Sequence, residues 1–221
     1  MELICGIDEA GRGPVIGSMF IAGVVIEEKD SEKFSKIGLK DSKKLSDSKR
    51  RELEKELKTV CKNFFVEEIT AKKIDELRQI MSLNVIELRG FAKIIEELKP
   101  DKAILDLPEP DGERFSKKIK KLLPEEMQSI EIVAEHSADE NYPVVSAASI
   151  LAKNAREDHV EELKQKYGVD IGSGYPHDKP TVNFLKKYFE ENRKMPEEAR
   201  ESWSTVKRIK GESSQTSFQD F

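Results

Sequence analysis

Gly6-Ile7-Asp8-Glu9-Ala10-Gly11-Arg12-Gly13-Pro14 is the stretch on which the reading of this chain turns. The apolar run Leu3-Ile4-Cys5-Gly6-Ile7 leads straight into two acids, and a basic turn flanked by glycines follows at once. A core strand that ends on carboxylates places charge where it is least comfortable unless those carboxylates have work to do. In open α/β sheets the working groups lie beyond the carboxyl ends of the strands. Residues 2–8 therefore read as a strand. Met19–Ile26 is a continuous apolar run, as a central buried strand requires. Pro14 and Gly17 mark the turn between them, and so short a connection predicts antiparallel neighbours.

Working outward, Ser46-Asp47-Ser48 predicts a helix entry, with Leu53, Leu57 and Val60 on one face of a helix ending near Lys62. Residues 63–69 read as a strand. Residues 82–98 carry Leu83, Ile86, Ile94, Ile95 and Leu98 at helical spacing, and Pro100 stops them. Residues 101–106 form a short strand that again finishes on an acid, Asp106, and 129–134 form another. A long helix is expected from Tyr142 to Tyr167, ending at Gly168. A Gly/Pro-rich loop over 168–180 contains Gly172-Ser173-Gly174-Tyr175-Pro176, a helix follows over 181–192, and Trp203 packs under a last one. Strands first and then strands alternating with helices predict an α/β fold, a mixed sheet flanked by helices. The domain organisation expected is a catalytic domain over 1–167, a small helical subdomain over 168–211 that contributes to substrate binding, and a mobile polar tail over 212–221.

The 38 basic and 43 acidic residues give a net charge of −5 over 221 residues, without the strongly basic balance of many nucleic-acid binders. Local runs differ. Lys36–Lys62 holds ten bases against five acids, and Arg114–Lys121 holds five bases and no acid. Each has two readings, a phosphate-facing patch or a solvated helix face. No apolar run approaches the roughly 20 residues of a membrane helix, and the first residues lack a secretory layout, so the cytoplasm is the expected location. Cys5 and Cys61 read as two small buried hydrophobes, with a disulfide as the alternative. His136, His159 and His177 are dispersed and offer no zinc site.

Asp8, Glu9, Asp106 and Asp139 each stand where a strand or apolar run meets a loop. Four carboxylates gathered together repel one another. Mg²⁺, a hard ion that prefers oxygen ligands, relieves this. Two such ions roughly 3.5–4 Å apart would activate water and stabilise the leaving oxygen of a phosphodiester.

Gly6–Pro14, Asp41-Ser42-Lys43-Lys44-Leu45, Ile104-Leu105-Asp106, Ala138-Asp139, Ser146–Lys153 and Gly172–Pro176 occur in this order. Together they resemble type 2 ribonuclease H (ribonuclease HII) in its archaeal form, over about residues 1–185. The resemblance implies a ribonuclease-H-like fold. It also implies cleavage of the RNA strand of RNA–DNA hybrids and nicking 5′ of ribonucleotides embedded in duplex DNA, leaving 3′-hydroxyl and 5′-phosphate ends. Carried over by motif, Asp8, Glu9, Asp106 and Asp139 become the catalytic metal ligands, for Mg²⁺ or Mn²⁺, two ions with substrate bound. Gly11, Arg12 and Gly13 become the turn that grips the nucleotide at the RNA–DNA junction. Tyr175 becomes the residue that stacks on the junction sugar; on its own it also reads as a loop aromatic capping the core. Lys43 reads equally as a phosphate contact or a surface lysine at a helix entry. A monomer is expected.

Gln215, Phe218 and Phe221 end the chain on the spacing Gln, apolar at +3, aromatic at +6. Two phenylalanines on a polar tail read as a docking peptide, and the spacing resembles the peptide by which replication and repair proteins hold a sliding clamp. A catalytically silent, clamp-tethered hybrid-binding module would keep the turn and the tail but has no need of the acids. A sugar-kinase-like phosphotransferase would want a second, glycine-rich lobe for which 221 residues leave little room.

Overall fold

A computed structural model describes residues 2–39, 46–106 and 111–216. The chain divides into two compact units whose segments interleave along the sequence. The first comprises residues 1–10, 20–68 and 84–155, and the second residues 11–19, 69–83 and 156–221.

The first unit is built on a five-stranded sheet of order β3-β2-β1-β4-β5. Its strands are β1 (Leu3–Ala10), β2 (Met19–Glu27), β3 (Asn63–Ile69), β4 (Lys102–Asp106) and β5 (Glu131–Glu135). β1 pairs antiparallel with β2, as the short turn demanded, and parallel with β4, which pairs parallel with β5. The sheet is therefore mixed, as expected. The helices are α1 (Ser31–Lys36), α2 (Asp47–Val60), α4 (Leu83–Leu98), α5 (Gly112–Lys120), α6 (Ala138–Asn141) and residues 143–155 of α7 (Pro143–Tyr167). Ser46 caps α2 by accepting from Lys49 N, and Asp111 caps α5 by accepting from Arg114 N at 2.9 Å. Pro143 opens α7, where its missing N–H costs nothing, and Gly168 at φ +65° closes it.

Two glycines let helices touch bare strand. A Cβ on Gly6 would stand 2.3 Å from the main chain of Val144, so α7 crosses β1 where only glycine fits. A Cβ on Gly23 would meet Ile94 at 2.2 Å and Leu98 at 2.7 Å, both on α4. Ile7 is the β1 partner of Gly23. Side chains alternate along a strand, so Gly6 faces α7 and its successor faces α4. Val24, Ile26, Leu53, Leu57, Ile104, Val145, Ala148 and Leu151 fill one core cluster, and Phe91 meets Phe115 edge-on at 5.9 Å in another contact.

The second unit contains α3 (Ala71–Arg78), residues 156–167 of α7, α8 (Lys179–Asn192) and α9 (Ser204–Thr216). Helix α3 has too short a pattern to be read from sequence, but Thr70 caps it, accepting from Lys73 N at 3.2 Å. Val15, Ile16, Leu163, Ile171, Leu185, Met195, Val206 and Ile209 form its core. Ile16 bridges to Ala199, and Tyr167, Phe184 and Tyr188 pack as a ring cluster. α9 continues to Thr216, so residues 212–216, expected in the tail, are helical.

The basic runs resolve as helix faces where they are described. On α2, Lys58 pairs with Glu54 at 2.6 Å and Lys49 with Glu52 at 3.1 Å; on α5, Lys117 pairs with Glu113 at 2.6 Å while Phe115 and Ile119 turn inward. Both cysteines are free thiols. No helix among the described residues is long and apolar enough to cross a membrane.

Candidate active site

In the first unit the acids gather at the carboxyl ends of parallel strands. Ile7 on β1 pairs with Leu105 on β4, so the next residues along, Asp8 and Asp106, come level at neighbouring strand ends. Asp8 accepts from Glu9 N at 2.7 Å, and the Ser149 side chain on α7 stands near enough to favour its charged form. Glu9, one residue on, points to the other face, towards Glu87 of α4. Asp106 Oδ1 accepts from Ala138 N at 2.9 Å. That bond ties the β4 end to the start of α6, whose first turn contains Asp139. Sequence reading placed Asp139 where an apolar run meets a loop; it lies instead inside this short helix, nearly fully buried. Ser137, just before it, holds a left-handed conformation at φ 55°, uncommon for a residue with a side chain.

The electrostatics are those of crowded acid. Burial holds the Asp8 carboxyl well above the usual carboxylate range, and Glu9 and Asp106 push it further. Glu9 is raised to about 8, first by burial and then by Glu87, with Asp106 adding to it. Glu87 is itself fully buried. Sequence reading missed it, although the signal was there: Glu87 interrupts the apolar stripe of α4 between Ile86 and Phe91. All the donors are oxygen, and their mutual repulsion is of the kind a divalent cation removes. Among the described residues no three acidic, histidine or cysteine side chains stand as a ready-made metal cage. An all-oxygen set of this kind suits Mg²⁺, which typically takes one or two carboxylates and completes its shell with water and substrate phosphate.

The second unit holds Gly11, Arg12, Gly13 and Tyr175. Gly11 adopts φ +82°, a conformation glycine takes at no steric cost. A Cβ on Gly13 would sit 3.3 Å from the Tyr175 ring, so the turn and the tyrosine, separated by most of the sequence, are direct neighbours. Val15 N donates to Gly174 O at 2.8 Å and Gly174 N to Thr181 Oγ1 at 2.9 Å, which fixes the loop on either side. The Arg156 guanidinium lies over the Tyr175 ring at 5.2 Å and donates to Ser173 O. The Tyr175 ring thus neighbours both Gly13 and the Arg156 cation. Arg156 escaped the sequence reading because an arginine in a charged helix carries no local signal. Lys43, Phe218 and Phe221 lie outside the described residues, and Gln215 is described only as backbone of α9.

A sequence model of the family described as Ribonuclease HII matches residues 5–206 of this chain. The chain belongs to the ribonuclease HII family. As a ribonuclease H it is a nuclease. The ribonuclease HII of Methanothrix thermoacetophila is 45% identical over 213 residues, covering 96% of this chain and all of that protein. Among solved structures, the ribonuclease H2 of Pyrococcus horikoshii OT3 superposes with a TM-score of 0.89 at 39% identity, covering 95% of this chain and 98% of its own. A PCNA:RNase HII complex from Archaeoglobus fulgidus gives a TM-score of 0.83 at 41% identity, covering 91% and 95%. The sheet order and the helical C-terminal region described above are those of a ribonuclease HII with a ribonuclease-H-like fold.

Proposed function

We propose that this ribonuclease HII cleaves the RNA strand of RNA–DNA hybrids and nicks 5′ of single ribonucleotides embedded in duplex DNA. The products would carry 3′-hydroxyl and 5′-phosphate ends. The observation that carries this reading is the meeting of Asp8 with Asp106 at adjacent strand ends, with Asp139 tied in through Asp106 and Ala138. Asp8, Glu9, Asp106 and Asp139 would hold Mg²⁺ or Mn²⁺, which supplies an activated water and neutralises charge developing on the phosphate. The chain's own part is to keep these carboxylates buried and fixed. The Glu9 amide orients Asp8, and the Ala138 amide orients Asp106.

Gly11, Arg12 and Gly13 would meet the nucleotide at the RNA–DNA junction, where the 2′-hydroxyl distinguishes RNA from DNA. Tyr175, adjacent to Gly13, would stack on its sugar. Gly11 follows Asp8 by three positions, so reading and cutting groups would share one short stretch of chain. A silent hybrid-binding module would have no use for buried, mutually repelling acids.

The archaeal PCNA complex supports a second element of the proposal, that Gln215, Phe218 and Phe221 dock this enzyme on a sliding clamp. The assay that tests the main reading is cleavage of a DNA duplex containing one ribonucleotide, with and without EDTA. A single cut 5′ of the ribonucleotide, lost on chelation, is expected. Cleavage that survives EDTA would overturn it.

A further inference from the structure

Arg200 is the largest fully buried side chain among the described residues, with none of its surface exposed. Its guanidinium is spent on main-chain carbonyls. Nη2 donates to Gly11 O at 2.6 Å, Nη1 to Arg12 O at 2.9 Å and Nε to Gly17 O at 2.9 Å. Its own amide donates to Val15 O at 2.8 Å. Three residues on, Trp203 Nε1 donates to Gly13 O at 3.2 Å. The carbonyls of Gly11, Arg12 and Gly13 are thus all engaged by residues 200 and 203.

A trans peptide unit is planar, with its C=O and N–H on opposite sides. Carbonyls drawn towards Arg200 and Trp203 therefore turn the next amides away from them. For Gly11 O that amide is the Arg12 N–H, and for Arg12 O it is the Gly13 N–H. Gly13 O precedes Pro14, which has none. The turn so held directs two successive amides to its far side, the arrangement that suits a sugar hydroxyl or phosphate oxygen.

The armature is itself braced. Asp75 accepts from the amides of Glu201 at 2.6 Å and Ser202 at 3.0 Å, and its charge faces Arg200. The Arg200 and Arg78 guanidinium groups lie over the Trp203 ring at 5.0 and 5.8 Å. Burial lowers the Arg200 pKa to about 9, so the group stays charged at neutral pH. Burying a guanidinium is costly, and packing alone would be served as well by an apolar side chain. What Arg200 supplies and an apolar residue cannot is a rigid fork that fixes several carbonyls at once.

We propose that Arg200 and Trp203 are positioning residues for ribonucleotide recognition, setting the Gly11–Gly13 turn so that the Arg12 and Gly13 amides face the substrate. The inference rests on the reading that this turn meets the junction nucleotide.

The test compares two constants: the KM for a DNA duplex with one ribonucleotide, and the inhibition constant of the same duplex made entirely of DNA. Their ratio measures discrimination and does not move when a variant merely loses folded protein. Arg200→Lys keeps the charge but not the fork, and should reduce the ratio about tenfold through a raised KM, with kcat changing less. Trp203→Phe keeps the ring but not its donor, and should reduce the ratio about threefold with a near-native melting temperature. The Trp203 variant keeps the test decisive if Arg200→Lys folds poorly. Gly11→Ala, which forces a side chain to φ +82° and within 2.7 Å of Ser18 O, separates the two levels. If Gly11→Ala shifts the ratio and Trp203→Phe and folded Arg200→Lys do not, the positioning role is overturned while the turn's role stands. If Gly11→Ala leaves the ratio unchanged, the reading of the turn falls, and this inference with it.

Discussion

Asp8 and Asp106 stand level at the ends of two neighbouring parallel strands because Ile7 pairs with Leu105. Each carboxylate is anchored by one main-chain amide, Glu9 N for Asp8 and Ala138 N for Asp106, so neither can swing away from the other. Asp8→Asn should therefore lower metal-dependent cleavage at least ~100-fold, more than the usual loss on removing an outer-shell partner. The same change removes a buried charge that Glu9 and Asp106 oppose, so melting in EDTA should be no lower than in the parent. Loss of activity together with a clear loss of stability would point to misfolding.

Glu9 gives the protein a pH signature. Its pKa is about 8 when folded, against an ordinary value of 4.5, so the folded state binds the extra proton between these limits. Stability should then be fully present below about pH 4.5, as far as this group is concerned, and be lost as pH rises towards 8. Scanning calorimetry in EDTA should show the melting temperature falling by about 5 °C or more between pH 5.5 and 8. Glu87→Gln removes the second-largest cause of the shift and should flatten that slope. Mg²⁺ should restore more stability at pH 8 than at pH 5.5, since it binds the deprotonated carboxylates.

Tyr175 should matter most where recognition rests on one nucleotide. Tyr175→Ala is expected to cut nicking at a single ribonucleotide by about tenfold or more, the loss of a base- or sugar-stacking contact. Cleavage of a long hybrid, which offers many registers, should suffer less. Equal losses on both substrates would remove the proposed stacking role.

Gly6→Ala should be severe for so small a change. The added methyl would collide with the Val144 main chain at 2.3 Å, and neither a strand nor a helix backbone yields cheaply. About 2–3 kcal/mol of destabilisation is expected, roughly 5–10 °C of melting temperature, read by thermal denaturation.

The clamp proposal is tested by removing residues 217–221, which leaves α9 whole. Val206 and Ile209, which anchor that helix in the second unit, remain. Clamp affinity by calorimetry should fall below detection, while cleavage of free duplex stays at the parent rate. Undiminished affinity would remove the docking role.

The strands were legible because their signal is local. Met19–Ile26 is apolar throughout, and β3 runs over Asn63–Ile69, the span that periodicity gave. The two acids at strand ends were legible for the same reason. Relations between distant side chains were not. Glu87 shows in the sequence as an acid on the apolar stripe of α4, but its closeness to Glu9 appears only when α4 is laid against β1. Arg200, in Glu197-Glu198-Ala199-Arg200-Glu201, looks like a surface charge among acids, yet nothing of it is exposed. Asp139 could be picked out by motif, but its place inside α6 depends on the Asp106 bond and on the unusual backbone of Ser137, neither of which composition reveals.

The bond from Arg200 to Gly11 spans 189 positions. During synthesis the strands of the sheet, the last of which ends at Glu135, are complete well before Arg200 and Trp203 are made. The Gly-Arg-Gly turn is among the first segments to leave the ribosome and among the last to be shaped. A nascent chain would thus assemble the platform that carries its acids while the turn proposed to select a substrate is still unheld. On that proposal discrimination would be acquired late in translation, and a nuclease stalled before residue 200 would hold its carboxylates without the means to aim them.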